Sequence, residues 1–194
     1  MNRALIVIDV QESFRVRRNW RIVGDPEIGK PVQRLVDAAR AAGDLVVWVL
    51  HSEPGSGSPF DPASGNVRVF DELTPLSEEP TITKTSRNAF STTNLQQLLT
   101  KRGIHDLTLC GIQTEQCVET TARVGADLGY AITFVTDATT TFPIAHRDAP
   151  AGRSVEEIVA DPRTLQVDDI VTRTEYALAG RFATVVKVGE LTGS

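Results

Sequence analysis

The chain has few of the residues that dominate disulfide scaffolds and metal proteins. Its 194 residues include two cysteines, three histidines and one methionine, and only 6% of them are aromatic. Cys110 and Cys117 form neither a C-x-x-C redox pair nor a zinc-ligand spacing. We therefore expect both cysteines to be reduced thiols.

The sequence also lacks a surplus of positive charge and long apolar runs. The net charge is -5 and the basic residues are scattered, so nothing favours binding to nucleic acid or to an anionic membrane. The first apolar run, Ala4–Ile8, is too short for the core of a signal peptide, and no stretch approaches the length of a membrane span. We expect a cytoplasmic protein.

Short apolar runs alternate with helical patterns along the chain. This alternation predicts an α/β fold with a parallel sheet whose strands are buried on both faces by helices. The length of the chain suits one domain, residues 1–194, although two small domains would also fit that length. The predicted strands are Ala4–Ile8, Leu45–Leu50, Thr81–Thr83, Leu107–Cys110, Ile132–Val135 and Thr184–Val188. The predicted helices are Val32–Ala42, Thr93–Arg102, Glu115–Leu128, Val155–Ala160 and Glu175–Arg181.

Three chemically unusual residues stand at the carboxyl ends of predicted strands. Asp9 and Lys84 directly follow the first and third strands, and Cys117 comes shortly after the fourth. Ligands of open parallel sheets bind beyond these ends, where the strand order reverses. If the first and fourth strands are neighbours, a carboxylate, an ammonium and a thiol meet in one crevice, which is the composition of an activated-nucleophile site. Taken singly, Asp9 could be a turn cap and Lys84 a solvated strand end.

Cys117 lies where a strand ends at Gly111 and a helix begins. We interpret Thr114 as the helix N-cap, which places the thiol in the first turn, where free N–H groups and the helix dipole favour thiolate. The alternative for Cys117 is a small buried hydrophobic residue. For Cys110, inside the strand, burial in the core is the prediction.

Two connecting segments bear on the pocket, and a third precedes the last predicted helix. Pro54–Pro62 is rich in Gly, Ser and Pro and predicts a long loop, a candidate lid, on the active edge of the sheet. Phe14–Trp20 mixes aromatic and basic residues and could hold an anionic or flat substrate, although a solvated loop with one anchoring aromatic is the favoured interpretation. Asp148–Asp169 is interpreted as a polar excursion.

Four motifs in order resemble the isochorismatase-like cysteine hydrolase superfamily, which includes nicotinamidases and N-carbamoylsarcosine amidohydrolases. The resemblance runs from about Ala4 to the final strand. Each motif is weak alone, and the ordered set is specific. The motifs are Asp9-Val10-Gln11 with Phe14, Lys84-Thr85-Ser86-Arg87-Asn88-Ala89-Phe90, Gly111-Ile112-Gln113-Thr114-Glu115-Gln116-Cys117-Val118 and Thr136-Asp137-Ala138.

The resemblance implies a catalytic triad of Asp9, Lys84 and Cys117 on a six-stranded parallel, Rossmann-like sheet in a three-layer α/β/α fold. It also implies a cis peptide bond between Ile112 and Gln113, with the backbone N–H groups of Gln113 and Cys117 forming an oxyanion hole. A homo-oligomer, dimer or tetramer, is expected because members of the superfamily commonly assemble.

One departure from the family pattern concerns metal. Nicotinamidase-like members carry an Asp-x-His motif after the second strand, whereas this chain has Leu50-His51-Ser52 without that aspartate, and His105 and His146 lie far away in sequence. We therefore predict neither a catalytic metal nor another cofactor. His51 is interpreted as a neutral histidine hydrogen-bonded at the pocket edge, which is compatible with substrate contact.

The resulting hypothesis is a cysteine-dependent amidohydrolase that cleaves a C–N bond in a small amide, carbamoyl or ureido compound through a thioester. Phe14 and Phe90 are expected to form apolar walls, and Arg87 or Arg15 to meet a substrate carboxylate. Alternatives are an isochorismatase-type vinyl-ether hydrolase, which needs no such thiol, and a catalytically silent binding module. Nucleotide or flavin binding is disfavoured because residues 9–14 contain no glycine.

Overall fold

A computed structural model describes residues 2–193, which build a six-stranded sheet in the order β3-β2-β1-β4-β5-β6. Every strand pairing is parallel. The chain starts in the middle of the sheet, moves to one edge and then crosses back to the other side, so the order reverses between β1 and β4. The strands are β1 Arg3–Ile8, β2 Leu45–His51, β3 Thr81–Lys84, β4 Asp106–Ile112, β5 Ala131–Thr140 and β6 Thr184–Val186.

The connections between strands carry helices, as the alternating pattern predicts. The helices are α1 Glu12–Arg15, α2 Gly29–Ala42, α3 Leu95–Lys101, α4 Glu119–Asp127, α5 Val155–Ala160, α6 Val167–Leu178 and α7 Val188–Thr192. A π-helical turn, Thr114–Val118, precedes α4, and 3₁₀ turns span Arg18–Ile22 and Pro62–Ser64. Over residues 2–193, none of the helices combines the length and apolar character needed to cross a bilayer.

The sheet separates two apolar cores, so the fold has three layers. Alternate residues of β1 point to opposite faces: Leu5 and Val7 join one core, while Ile6 and Ile8 join the other. The first core contains residues of α2 and α7, and the second contains residues of α3, α4 and α6. The three-layer α/β/α fold predicted from the sequence is confirmed.

The prediction that the strands are buried on both faces is correct for the central strands and wrong for the two edge strands. Five of the six residues of β1 are buried, whereas β3 and β6 are largely exposed or half-buried. An edge strand has a neighbour on one side only, and the helices cover it incompletely.

Several predicted element bounds were wrong. The final strand stops at Val186, because Val188 begins α7, a helix that the sequence pattern did not predict. Helix α6 begins at Val167 rather than at Glu175. The acidic pair Asp168-Asp169 therefore lies in the first turn of a helix, where it suits the positive end of the dipole, and does not end a polar excursion.

Candidate active site

The predicted carboxylate, ammonium and thiol lie at the ends of three strands, where the strand order of the sheet reverses. Asp9 follows β1, Lys84 is the last residue of β3, and Cys117 lies in the π-helical turn after β4. Strands β1 and β4 are neighbours, with Ile8 opposite Gly111. Strand β2 separates β1 from β3, and the long side chain of Lys84 spans that gap.

Lys84 joins the two other groups. Its Nζ donates to Asp9 Oδ2 at 2.8 Å and lies 3.4 Å from Cys117 Sγ. Asp9 and Lys84 are both 0% exposed, and Cys117 is 5% exposed. Because Lys84 has no exposed surface, its alternative interpretation as a solvated strand end was wrong.

Asp9 is held in a left-handed backbone conformation, with φ of 55°, which is uncommon for residues other than glycine. Burial raises the pKa of its carboxyl, and the ammonium of Lys84 lowers it only in part, so the net shift is upward. Asp9 Oδ1 has no hydrogen-bond donor of ordinary geometry within the described range. This leaves an oxygen of raised basicity available next to the thiol.

The local setting of Cys117 differs from the expected helix N-cap arrangement. Gln113 occupies the cap position, and Thr114 is buried within the turn, where its hydroxyl donates to Thr139 Oγ1 at 2.9 Å. The N-cap assignment of Thr114 was therefore wrong. The side chain of Thr114 instead ties the turn to β5.

The surroundings of the Cys117 thiol oppose the thiolate that the start of a helix was expected to favour. Burial, reinforced by the Asp9 carboxylate, raises the pKa of Cys117 to about 12. Burial also raises the pKa of Cys110, which is fully enclosed in β4 as predicted. What distinguishes the two cysteines is their neighbours: Cys117 has a carboxylate beside it that can take its proton.

The peptide bond between Ile112 and Gln113 is cis, as the resemblance implies. The carbonyl of Gln113 accepts hydrogen bonds from the N–H groups of Gln116 and Val118. Gln113 and Cys117 both line the same cavity.

His51 is fixed from both sides of the ring and through its backbone. Its Nδ1 lies 3.4 Å from Lys84 Nζ, and its Nε2 lies 3.4 Å from Glu53 Oε1. Gln11 accepts from the His51 N–H and donates to its carbonyl, which ties the end of β2 to the turn after β1. Burial and the Lys84 charge lower the pKa of His51, which favours the neutral ring.

A cavity of about 320 Å³ opens above these groups, a size typical of small-molecule sites. The loop Pro54–Pro62 supplies part of its wall and is organised by Asp61, whose carboxylate accepts from the N–H groups of Gly57 and Ala63. The lining residues are Asp9, Phe14, Arg17, His51, Glu53, Ser58, Pro59, Phe60, Arg87, Gln113, Gln116 and Cys117.

The structure brings some of the predicted substrate-contact residues to this cavity and not others. Phe14, Arg87 and His51 line it. Phe90 does not line the cavity. Its ring stacks on that of Tyr130, with the ring centroids 5.6 Å apart, and it belongs to the second core, which contains residues of α3, α4 and α6. Arg15 pairs with Glu12 and Glu72 and is not in the lining.

Sequence reasoning missed Arg17 and Phe60 as cavity residues. The mixed aromatic and basic segment Phe14–Trp20 contained the signal for Arg17, but the sequence could not show which of its arginines faces the cavity. Phe60 contacts Phe14 edge to face at a centroid distance of 4.9 Å. A phenylalanine in a loop rich in Gly, Ser and Pro was the available signal for this second wall.

No group of three or more His, Cys, Asp or Glu side chains within residues 2–193 is arranged to hold a metal ion. The expectation of a metal-free site stays a prediction.

Comparison with known proteins places the chain in a family. A sequence model of the isochorismatase domain matches residues 3–167. A secreted isochorismatase effector of Verticillium dahliae is 33% identical over 147 residues, which are 75% of this chain and 74% of that protein. A streptothricin hydrolase of Streptomyces noursei is 32% identical over 158 residues, 81% of this chain and 60% of that protein.

A solved structure agrees with this result. The crystal structure of a cysteine hydrolase from Pseudomonas syringae pv. phaseolicola matches with a TM-score of 0.83 and 25% identity, covering 99% of this chain and 91% of that one. Domain match, relatives and architecture coincide, so this chain belongs to the isochorismatase family of hydrolases.

Proposed function

We propose that this protein hydrolyses a C–N bond in a small amide, carbamoyl or ureido compound, with Cys117 as the nucleophile and a thioester as the intermediate. The observation that carries the proposal is the position of Lys84, whose ammonium contacts both Asp9 and Cys117 inside a buried crevice. A carboxylate with a free oxygen, a thiol and a cation in one enclosed site are the components of an activated nucleophile.

In the first half of the reaction, Asp9 takes the thiol proton and Cys117 Sγ attacks the carbonyl carbon. The resulting oxyanion accepts hydrogen bonds from the backbone N–H groups of Gln113 and Cys117. Asp9 then gives its proton to the departing nitrogen, the C–N bond breaks, and ammonia or an amine leaves. Lys84 keeps Asp9 oriented and offsets its charge throughout.

In the second half, Asp9 takes a proton from water, and the resulting hydroxide attacks the thioester carbon. The C–S bond breaks, the acid product leaves, and the sulfur regains its proton from Asp9. The same carboxylate therefore acts as base and acid twice, which requires a pKa closer to neutrality than that of an ordinary aspartate. The upward pKa shift of Asp9 supports this role.

The names of two similar proteins support a hydrolase of this kind. One is called a streptothricin hydrolase and the other a cysteine hydrolase. Neither name fixes the substrate of this chain, so the substrate must be found by assay.

The proposal is tested by replacing Cys117 with alanine. Ammonia release is first screened over nicotinamide, carbamoyl amino acids, ureido acids and small aliphatic amides, with and without a chelator. On the best substrate, Cys117→Ala is expected to lower kcat by about 10³-fold or more, and mass spectrometry of the parent during turnover should show an acyl adduct on Cys117.

Cys110→Ala is the matched control, since it removes the other buried cysteine without touching the cavity, and it should retain activity. Full activity in Cys117→Ala would overturn the covalent route. Absence of reaction with any thiol-directed acylating agent would favour a silent binding module.

A further inference from the structure

The cavity contains an arginine that the proposed mechanism does not use. Arg17 is half-buried, and its guanidinium lies 5.9 Å from the ring centroids of Phe14 and Phe60 and 5.8 Å from that of Phe142. Three rings thus surround a cation that lines the same cavity as Cys117. Burial lowers the pKa of Arg17, and the charge of Glu53 offsets only part of that shift.

Arg15 and Arg21 satisfy their charge inside the protein, whereas Arg17 does not. Arg15 forms an ion pair with Glu72, and Arg21 pairs with Glu156 at 2.6 Å. Arg17 makes no ion pair within 4.0 Å and no side-chain hydrogen bond to any residue between 2 and 193. A guanidinium has five donors in a planar fork that matches a carboxylate, and leaving them unpaired in a partly desolvated position is unfavourable.

The charges of the side chains around the cavity also favour an anionic ligand. The carboxylate of Asp9 is neutralised by Lys84, and His51 is favoured in its neutral form. Two arginines, Arg17 and Arg87, then face a single glutamate, Glu53. The cavity is locally positive in a protein whose net charge is -5.

We propose that Arg17 is a specificity-determining residue that binds the carboxylate of a small anionic substrate while Cys117 attacks its amide or ureido carbon. This inference rests on the proposed function and narrows it to substrates that carry an acid group. The flanking rings of Phe14 and Phe60 exclude water from the guanidinium and so strengthen its attraction for an anion.

The test uses two alkylating reagents of nearly the same shape and different charge. Iodoacetate is an anion and iodoacetamide is neutral. Both form an S–C bond at a thiolate as the C–I bond breaks and iodide leaves, with the thiol proton passing to Asp9. Labelling of Cys117 is followed by peptide mass spectrometry, and each rate is divided by the rate for β-mercaptoethanol in the same buffer.

In the parent protein the normalised rate for iodoacetate should exceed that for iodoacetamide by about 5-fold or more, because a neighbouring cation in a partly desolvated cavity contributes at least that much. Arg17→Gln should remove most of this preference while leaving the iodoacetamide rate unchanged, which also shows that the site is still folded. The remainder is the effect of Arg87, which lines the same cavity. Arg17→Lys, which keeps the charge but loses the planar fork, should retain only part of the preference.

Arg18→Gln is the control, since it makes the same charge change at the next, exposed position outside the cavity lining. It should leave the ratio near the parental value. An iodoacetate preference of parental size in Arg17→Gln, or an equal loss of preference in Arg18→Gln, would overturn the role of Arg17. Equal labelling by both reagents in the parent would do the same while leaving the thiol chemistry intact. If neither reagent modifies Cys117, the proposed function falls, and this inference falls with it.

Discussion

Both partners of the Asp9–Lys84 ion pair are fully buried. Removing one partner of such a pair strongly destabilises a protein, because the remaining charge is left buried without compensation. Removing the carboxylate leaves a fully buried ammonium without its counterion. Removing both charges together can be close to neutral for stability. The pair can therefore be examined separately for its contribution to folding and to catalysis.

We expect Asp9→Asn to abolish turnover and to lower the free energy of unfolding by about 3–5 kcal/mol, because Lys84 loses its counterion. Asparagine tolerates the left-handed backbone that position 9 requires, so backbone strain should not contribute. Urea unfolding and the ammonia assay measure the two effects.

The double variant Asp9→Asn/Lys84→Met should recover most of the stability and none of the activity. Activity within about 10-fold of the parent in Asp9→Asn would remove Asp9 from the proton transfers.

The acid limb of the pH profile follows from the pKa of Asp9, which burial raises above its ordinary value. The base form is lost as pH falls through this raised pKa. The decline of kcat/KM should therefore begin well above pH 4, close to which an ordinary aspartate titrates (about 3.9). A profile that stays flat down to about pH 4 would contradict the assignment of Asp9 as the base.

At the scale of secondary structure, the approach of β4 to β1 determines whether the crevice can form. Gly111 has φ of 131°, and a Cβ placed on it would lie 1.9 Å from the carbonyl oxygen of Ile8. Since Ile8 directly precedes Asp9, any side chain at position 111 would push apart the two strands that carry the acid and the thiol.

Gly111→Ala is accordingly expected to destabilise the protein by more than about 3 kcal/mol, measured by urea unfolding. Gly103→Ala is the matched control: this glycine also has a positive φ, of 61°, but its Cβ would have open space around it. That substitution should cost only about 1–2 kcal/mol, from backbone strain alone. Equal losses in the two variants would show that the contact with Ile8 is unimportant.

Element bounds were predictable where local pattern and tertiary environment agree. Helix α5, Val155–Ala160, was predicted to the residue; it begins at a Ser154 capping box, a local signal. Strand β5 runs five residues beyond its predicted end, through Thr136 to Thr140, because hydrogen bonding to β4 continues past the apolar run. Helix α7 was missed because its five residues are too short to show a helical period.

For the whole molecule, the two cores on opposite faces of the sheet explain how an ordinary composition supports an unusual site. Helices of both layers bury the strands, and the polar groups collect at the end of the sheet where the strand order reverses. The cytoplasmic location and the extent of the domain, residues 1–194, remain predictions.

The homo-oligomer expected from the family resemblance also remains a prediction. Light scattering on the purified protein should give a dimer or tetramer of the 21.1 kDa chain. A mass of one chain at assay concentration would contradict it.

The sequence by itself determined the fold class and selected Asp9, Lys84 and Cys117 as candidate site residues. It could do so because strand ends and apolar runs are local features that a linear pattern records. Only the tertiary structure decided that Arg17 rather than Arg15 faces the cavity, that Phe90 belongs to the core, and that burial raises the pKa of the Cys117 thiol. Side-chain direction and burial depend on which distant segments pack together, and desolvation and charge contacts shift a pKa only once that packing exists.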